Sequence, residues 1–428
     1  MNDPRHPDAL PAPSYFSPSR REVLRWLAFG SAGVALGGAL GACSDGSSEF
    51  SRPVPPDLPH RRMLIVIELG GGNDSLSTLV PYTSDIYRKA RPTLALGERD
   101  VVDLGDGLGL NRHLAGLHDR GLAIVSGIGT NNPDLSHFEM LDRWWNGTPA
   151  GLTTAEKGGL TPGFLGRLCD AVKGEERFTG ISLKFGSAAG LRAASAATTG
   201  LPPVDDSFLT PGQANASELA RYLTTLSSAS EGASYPDARR GLGRMLWITD
   251  LMAQLAEPPS GYPETDFGMQ MAVASRLVRS GAGTRVLHIP MGISEYDTHS
   301  AHGTVHPALL KELDAGLTAF YDDLKANDLL DKVLIATTSE FGRRVEEHSE
   351  GLDHGAASLM MLLGPVKAGL HGELSPLDDL DDLGNLRATV TFDRYLATLA
   401  SWLEVEPAEV LKRSEGKVAA PISGLLSA

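Results

Sequence analysis

An α/β fold, a mostly parallel sheet with helices on both faces, is what this sequence predicts, and three observations predict it. Short, near-continuous apolar runs recur along the chain, beginning with Met63-Leu64-Ile65-Val66-Ile67-Glu68-Leu69. Stretches of helical periodicity separate them, the alternation expected of strands joined by crossover helices. Most runs also end in glycine or polar residues, as buried strands do where they enter loops.

The elements follow in order. Residues 1–42 read as an export leader: Ser19-Arg20-Arg21-Glu22-Val23-Leu24 has the form of a twin-arginine core, and residues 26–40 carry no charge. That uncharged run has the length of a signal segment rather than a membrane span. Leu40-Gly41-Ala42-Cys43 resembles a lipoprotein cleavage box. The expectation is export by the Tat machinery to the periplasm or cell surface, with lipidated Cys43 anchoring the protein at a membrane; the alternative is a soluble secreted protein cut nearby. Residues 43–60, rich in Ser and Pro, form a tether. Residues 61–428 form the folded domain, with a helical insertion at about 206–280.

Strands are predicted at 63–69, 122–128, 181–185, 284–289, 332–338 and 358–363, and helices at 138–145, 216–225, 235–255, 266–280, 307–325 and 392–403. Residues 164–169 also have helical character. Residues 186–205, rich in Ala, Gly, Ser, Thr and Pro, read as a long loop. With 53 acidic against 38 basic residues, the net charge is −15. Such a surface repels phosphate backbones, so a nucleic-acid partner is excluded, whereas carboxylate ligands for a cation are well supplied. There are only two cysteines. With Cys43 acylated, Cys169 has no partner, and its apolar surroundings in sequence predict simple burial.

Ligands of open α/β sheets bind beyond the carboxyl ends of the strands. After the first strand come Gly70-Gly71-Gly72-Asn73-Asp74, and after the second Asn131-Asn132-Pro133-Asp134-Leu135-Ser136-His137. Later strands are followed by Glu295-Tyr296-Asp297-Thr298-His299 with His302 and His306, and by Ser339-Glu340-Phe341-Gly342-Arg343-Arg344 with Asp353-His354-Gly355. Carboxylates and neutral imidazoles are the ligand set of Zn²⁺, Mn²⁺ or, with more oxygens, Ca²⁺. Any one pair alone reads equally as a helix cap or surface pair; their shared place after strands is the signal. Ser136 precedes a helical stretch, where amide groups and the macrodipole favour an alkoxide or a bound phosphate. It, or Asp134, also reads as an ordinary N-cap. The triple glycine lacks the spacing of a dinucleotide loop, and Asp74 would repel a pyrophosphate.

In this order, Leu69-Gly70-Gly71-Gly72-Asn73-Asp74, Ser136-His137-Phe138, Tyr296-Asp297-Thr298-His299, Ser339-Glu340-Phe341-Gly342-Arg343 and Asp353-His354-Gly355 resemble the DUF1501 proteins, twin-arginine-exported members of the alkaline phosphatase and sulfatase superfamily. The resemblance implies an alkaline-phosphatase-like sheet with a metal centre at its carboxyl edge. It implies Asp74, Asp297, His299, Glu340, Asp353 and His354 as ligands of one or two divalent ions, and Ser136 as nucleophile. Arg343 is expected to hold the substrate anion, and Asn73, His137 and His302 to contact substrate. Where the superfamily often has Ser-Asp-His-Gly, this chain reads Ser339-Glu340-Phe341-Gly342. The implied activity is metal-dependent hydrolysis of phosphate or sulfate esters, on a small molecule or a polymer. The rival expectation is a non-catalytic envelope lipoprotein whose degenerate or structural metal site binds a partner or polymer, and Phe341 in place of a ligating His supports it.

Overall fold

Met63–Glu68 forms β1, and its alternation dresses both faces of the sheet: Ile65 and Ile67 point to one buried cluster, Leu64 and Val66 to the other. A computed structural model describes residues 61–427 apart from 152–160, 175–177, 185–187, 202–259, 281–282, 293 and 412–416. The leader, Cys43, the tether and the helices expected at 216–225 and 235–255 lie outside the described residues, as does most of the 206–280 insertion.

The remaining strands are β2 (Leu79–Val80), β3 (Val101–Gly105), β4 (Leu108–Asn111), β5 (Ala123–Gly129), β6 (Gly180–Ser182), β7 (Thr198–Gly200), β8 (Val286–Pro290), β9 (Val333–Thr338), β10 (Ser358–Leu363), β11 (Gly369–His371) and β12 (Val390–Thr391). Among the described residues the main sheet has the order β11-β5-β10-β9-β1-β8-β6-β7, with β12 also on β5. β1 pairs in parallel with β8 and β9, and β6 with β7 and β8. β10 is antiparallel to both β5 and β9. One reversed strand in a mostly parallel sheet has a consequence for the site: the loop that enters β10, rather than one that leaves a strand, delivers Asp353 and His354 to the carboxyl edge.

Five longer helices cover the sheet: α1 (His137–Asn146), α2 (Phe164–Val172), α3 (Asp266–Arg279), α4 (His302–Ala326) and α5 (Phe392–Trp402). Phe267 and Met271 of α3 and Leu310, Leu317 and Phe320 of α4 pack with Ile65, Leu287 and Ile335. Met140 and Trp144 of α1, Phe164 and Leu168 of α2 and Tyr395 and Leu399 of α5 pack with Leu64, Val66, Leu334 and Ala336 on the other face. Each such fully buried aliphatic or aromatic side chain stabilises the fold by about 1.5–3 kcal/mol. Cys169 is buried in this second cluster. Among the described residues no helix is long and apolar enough to cross a membrane.

Two differences from the sequence reading have physical reasons. The strands β2, β4 and β3 form a small separate antiparallel sheet that was not expected. The outer strand β3 is largely exposed and carries no apolar run. The other is α4, which begins at His302 rather than at Pro307 and keeps that proline inside. Its first turns are held by side chains instead: His302 Nδ1 meets Thr298 Oγ1 at 2.7 Å and His306 Nε2 meets Asn73 Oδ1 at 3.0 Å.

Candidate metal centre

The triple glycine after β1 lets two loops meet. Gly71 and Gly72 have φ of +111° and +87°, and a Cβ on Gly71 would lie 2.4 Å from the Asp297 amide nitrogen. A Cβ on Gly72 would strike the Phe341 ring at 2.6 Å. Only glycine accepts both the positive φ and the approach. Arg343, fully buried, ties these loops together. Its guanidinium donates to the carbonyls of Gly72 (3.0 Å), Leu352 (2.9 Å), Tyr296 (3.0 Å) and Gly71, and to Asp297 Oδ1 (2.7 Å). Its donors are thereby committed to protein, so the expected contact with a substrate anion is replaced by a role in holding Asp297 and the loops. Burial works to raise the Asp297 carboxyl, but the hydrogen bond and charge of Arg343 prevail and hold it below the usual carboxylate range.

Around Asp297 the structure gathers three imidazoles. One ligand atom each from His137, Asp297 and His354 lie within 4.8 Å of one another. Asp297 Oδ1 is 3.1 Å from His354 Nε2 and 3.2 Å from His299 Nε2, while Asp297 Oδ2 is 3.4 Å from His137 Nε2. His299 Nε2 and His354 Nε2 are 2.9 Å apart.

The other nitrogen of each ring decides what these contacts mean. His137 Nδ1 is 2.7 Å from Glu340 Oε1, His299 Nδ1 is 3.2 Å from Asp353 Oδ1, and His354 Nδ1 is 2.7 Å from the Leu135 carbonyl. A carboxylate or a carbonyl only accepts, so each Nδ1 donates, and each neutral ring then presents a lone pair at Nε2. Two such lone pairs and a carboxylate oxygen face one another at about 3 Å, a repulsive arrangement unless a proton or a cation lies among them. Imidazoles and a carboxylate, with the far ring nitrogens tied to acceptors, are donors that suit a divalent ion. His137 Nε2 and Glu340 Oε2 are buried without a hydrogen-bond partner, which also fits. The hydrogen bond to Glu340, opposed by burial, raises the His137 pKa, while burial depresses that of His354.

Ser136 is flanked on both sides by this cluster. Leu135 binds His354 through its carbonyl, and His137 is the first residue of α1. Ser136 is the N-cap, yet its exposed side chain makes no cap hydrogen bond; Asp134 instead accepts from the Ser136 amide at 2.7 Å. A hydroxyl free of cap duty stands at the N-terminus of α1, between two residues that contact the cluster.

The other expected site residues lie elsewhere. Asp74 is fully buried and pairs with Arg91 through two contacts, Oδ2 to Nη1 at 2.5 Å and Oδ1 to Nη2 at 2.9 Å. Both its oxygens are occupied and it caps the short helix that follows, so the structure places it apart from the Asp297 cluster it was expected to join. Burial opposes its ionisation, but Arg91 and His302 hold it well below the usual carboxylate range. His302 is buried against Asp74, Ser77 and Thr298, and Asn73 against His306 and Thr78, so both are sealed from the substrate they were expected to meet. Burial and the neighbouring His302 push His306 down to about 3. His299, His354 and Asp297 come together as the resemblance implies, His137 joins them, and Asp353 and Glu340 touch imidazoles from behind. Phe341 fills the place of the missing histidine as an aromatic wall, its ring 4.8 Å from that of His137 and 4.7 Å from that of His354. The sequence reading gave no role to Glu68 or His288, which lie in and beside an adjoining cavity; a charged and an ionisable residue at inward positions of apolar strands was the available signal.

A family model described as "Protein of unknown function (DUF1501)" matches residues 119–416. No curated protein matches the chain. Similar solved structures include the lipoteichoic acid synthase LtaP from Listeria monocytogenes, at 8% identity over 85% of this chain and 76% of that one, with a TM-score of 0.41. The sulfatase PsFucS1 from Pseudoalteromonas sp. has 12% identity over 81% and 68%, TM-score 0.37. The C-terminal periplasmic domain of EcEptC from Escherichia coli, in complex with Zn, has 10% identity over 86% and 92%, TM-score 0.36.

Proposed function

The chain belongs to the DUF1501 family, and from its own site chemistry we propose that it is a metal-dependent hydrolase of phosphate or sulfate esters. The observation that carries the reading is the set of Nε2 lone pairs of His299 and His354 turned on each other and on Asp297. His137, Asp297, His299 and His354 would hold a divalent ion, with Zn²⁺ or Mn²⁺ the better fit to three imidazoles and Ca²⁺ the poorer. One such centre is supported, rather than two, because Asp74 and His302 are committed to Arg91 and its neighbours. A bound divalent ion supplies polarisation of an ester oxygen and a lowered pKa for a nearby hydroxyl.

The protein's own part is positioning. Glu340, Asp353 and the Leu135 carbonyl fix three rings in one tautomer. Arg343 holds Asp297 ionised. Ser136 is the nucleophile in this reading: its oxygen bonds to the phosphorus or sulfur, the alcohol leaves with a proton, and water later cleaves the seryl ester. The N-terminus of α1 favours the charge that develops there. The acceptor is a small-molecule or polymer ester, met outside the cytoplasm if residues 1–43 act as the Tat leader and lipid anchor they resemble, with the membrane and the Tat machinery as further partners.

A second reading, a non-catalytic envelope protein with a structural metal, is favoured by one observation. Arg343, expected to hold the anion, is committed to protein, and Phe341 is apolar, so neither of these two side chains offers a substrate anion a free charge. Metal analysis by mass spectrometry on protein from Ser44 onward, with phosphate- and sulfate-ester turnover measured on the reloaded protein, separates the readings. Near-stoichiometric metal with turnover supports the hydrolase. Metal whose removal lowers stability, with no turnover, supports the structural site. No uptake of Zn²⁺, Mn²⁺ or Ca²⁺ overturns both.

A further inference from the structure

We propose that Glu68 is a positioning residue of this site: through Trp145 it fixes helix α1 on the sheet edge, and so places His137. The inference rests on the reading above only for what His137 then binds.

Glu68 ends β1, and its position follows from strand pairing. β1 and β8 run parallel with Val66 opposite His288, and β6 sets Ser182 opposite His288 on the other side. Side chains two apart share a face, so Glu68, His288 and Ser182 project to the face that α1 covers. There they form a chain. Ser182 Oγ lies 2.9 Å from His288 Nδ1, and His288 Nε2 lies 3.3 Å from Glu68 Oε2. Trp145 Nε1 donates to that same Oε2 at 2.8 Å. The next tryptophan makes a matching contact: Trp144 Nε1 donates to the Glu340 carbonyl at 3.1 Å, while its ring stacks on Phe392 at 4.6 Å. The last turn of α1 is thus bound to the sheet edge at two adjacent points, and a cavity lined by Glu68, His288, Glu340, Trp144 and Trp145 lies between them.

The geometry makes this a control on the cluster. α1 runs from His137 to Asn146, a rigid rod of 10 residues, so an anchor at its C-terminal turn sets where its first residue stands. His137 must sit within reach of Asp297 and Glu340 at once. A carboxylate largely shielded from water is a costly way to bind an indole. A carboxylate nevertheless gives a stronger acceptor than a neutral group, and here it is itself fixed by an imidazole and a serine behind it. Neither Glu68 nor Trp145 touches Asp297, His299 or His354 in any contact described, so they act through the helix.

The test uses the chain from Ser44 onward, free of metal, by hydrogen exchange across α1, followed by Co²⁺ titration monitored by visible absorption. Trp145→Phe keeps the ring and removes the donor; Glu68→Gln keeps an acceptor oxygen for the indole; Glu68→Ala removes it. The expected result is faster exchange at the first hydrogen-bonded amides of α1, Met140 and Leu141, by tenfold or more in Trp145→Phe and Glu68→Ala, since the amides before them have no helical partner. Co²⁺ affinity falls by a similar factor in both, and Glu68→Gln stays near wild type in both measurements. Exchange that rises only around residue 145, or not at all, overturns the proposal. Should Glu68→Ala fail to fold, Trp145→Phe alone decides the matter. Wild-type protein that binds no Co²⁺ overturns the metal reading, and the exchange data still decide the role of Glu68.

Discussion

Two polar clusters follow the strands of this protein, some residues of each adjacent in sequence, and they are built to opposite rules. In the first, Asp74, Arg91, Asn73, His302 and His306 are all buried, and charge meets charge: a carboxylate against a guanidinium, with imidazoles against hydroxyls and an amide. In the second, Asp297, His137, His299 and His354 are partly open to solvent, and beyond the Arg343 guanidinium on Asp297 acceptors meet acceptors. A buried ion pair with its hydrogen bonds complete needs nothing more. A half-open cluster whose lone pairs converge needs a proton or a cation among them. The contrast teaches that what surrounds the carboxylate, rather than residue type, separates the two: Asp74 has a guanidinium on both oxygens, whereas lone pairs close on Asp297, although Asn73 Nδ2 and His306 Nδ1 of the first cluster are also buried without a partner.

The sharpest way to break that contrast is to cut one carboxylate from each cluster. Asp74→Ala strands the Arg91 guanidinium in the interior, and loss of one partner of a buried pair costs about 3–5 kcal/mol. Urea unfolding of the metal-free protein measures it. Asp297→Ala is expected to cost less stability without metal, because the buried Arg343 loses its carboxylate but keeps four backbone carbonyls, while metal content falls below a tenth of wild type, read by mass spectrometry. If Asp74→Ala removes the metal and leaves stability intact, the assignment of the clusters is reversed. Ser136→Ala sharpens the second side further: metal and unfolding midpoint stay as in wild type, while kcat falls by roughly a thousandfold or more, the scale for removing a nucleophile. Retained turnover removes Ser136 from the mechanism.

Much of this was legible in the chain. The apolar runs placed β1, β5, β8, β9 and β10, because buried strands leave a strong signal, and helix periodicity placed α1, α3 and α5. The gathering of polar residues after strands led to Asp297, His299 and His354. What the sequence could not separate was Asp74 from Asp297, since both follow strands and both have histidines in reach. The partner that separates them, Arg91, lies 17 residues from Asp74 in a segment with no pattern to mark it. The reversed direction of β10 was equally hidden, because an antiparallel buried strand has the same composition as a parallel one. Arg343 read as a substrate contact because an exposed and a buried arginine look alike until the four carbonyls around one are seen.

The clusters should also part in their response to acid. His306 is neutral in the fold down to about 3, against 6.5 when unfolded. Between those values the unfolded chain binds a proton that the fold does not, so stability falls as pH drops from 6.5 towards 3. Asp74, held well below 3.8, adds stability that is present above 3.8 and is lost as pH falls through its folded value. His137 has the opposite sign. Its raised pKa gives the metal-free fold a contribution complete below 6.5 and lost as pH rises through the raised value. A cation must displace that proton, so metal affinity should climb over the same range. Unfolding midpoints of metal-free protein between pH 3 and 8, with His306→Gln beside wild type, check the first cluster: the variant should flatten the acid limb. Co²⁺ titrations across pH 6 to 8.5 check the second, and affinity independent of pH there would contradict the placing of His137 among the ligands.

The smallest expected effect probes the outer shell of the open cluster alone. Asp353 touches His299 Nδ1 at 3.2 Å and is half-exposed, with Arg344 a distant 3.9 Å from its other oxygen. Its work in this reading is to keep His299 in the tautomer that presents Nε2, since a carboxylate can only accept from Nδ1. Asp353→Asn preserves shape and an acceptor oxygen but weakens the hydrogen bond and allows the ring to turn over. Metal affinity should fall by about tenfold, at the lower end of the range for outer-shell changes, with the unfolding midpoint of the metal-free protein unmoved. A loss as large as that of Asp297→Ala would instead make Asp353 a direct ligand. In that case His299 would face Asp297 through a proton, and Asp353 would replace it in a set of His137, Asp297, His354 and Asp353.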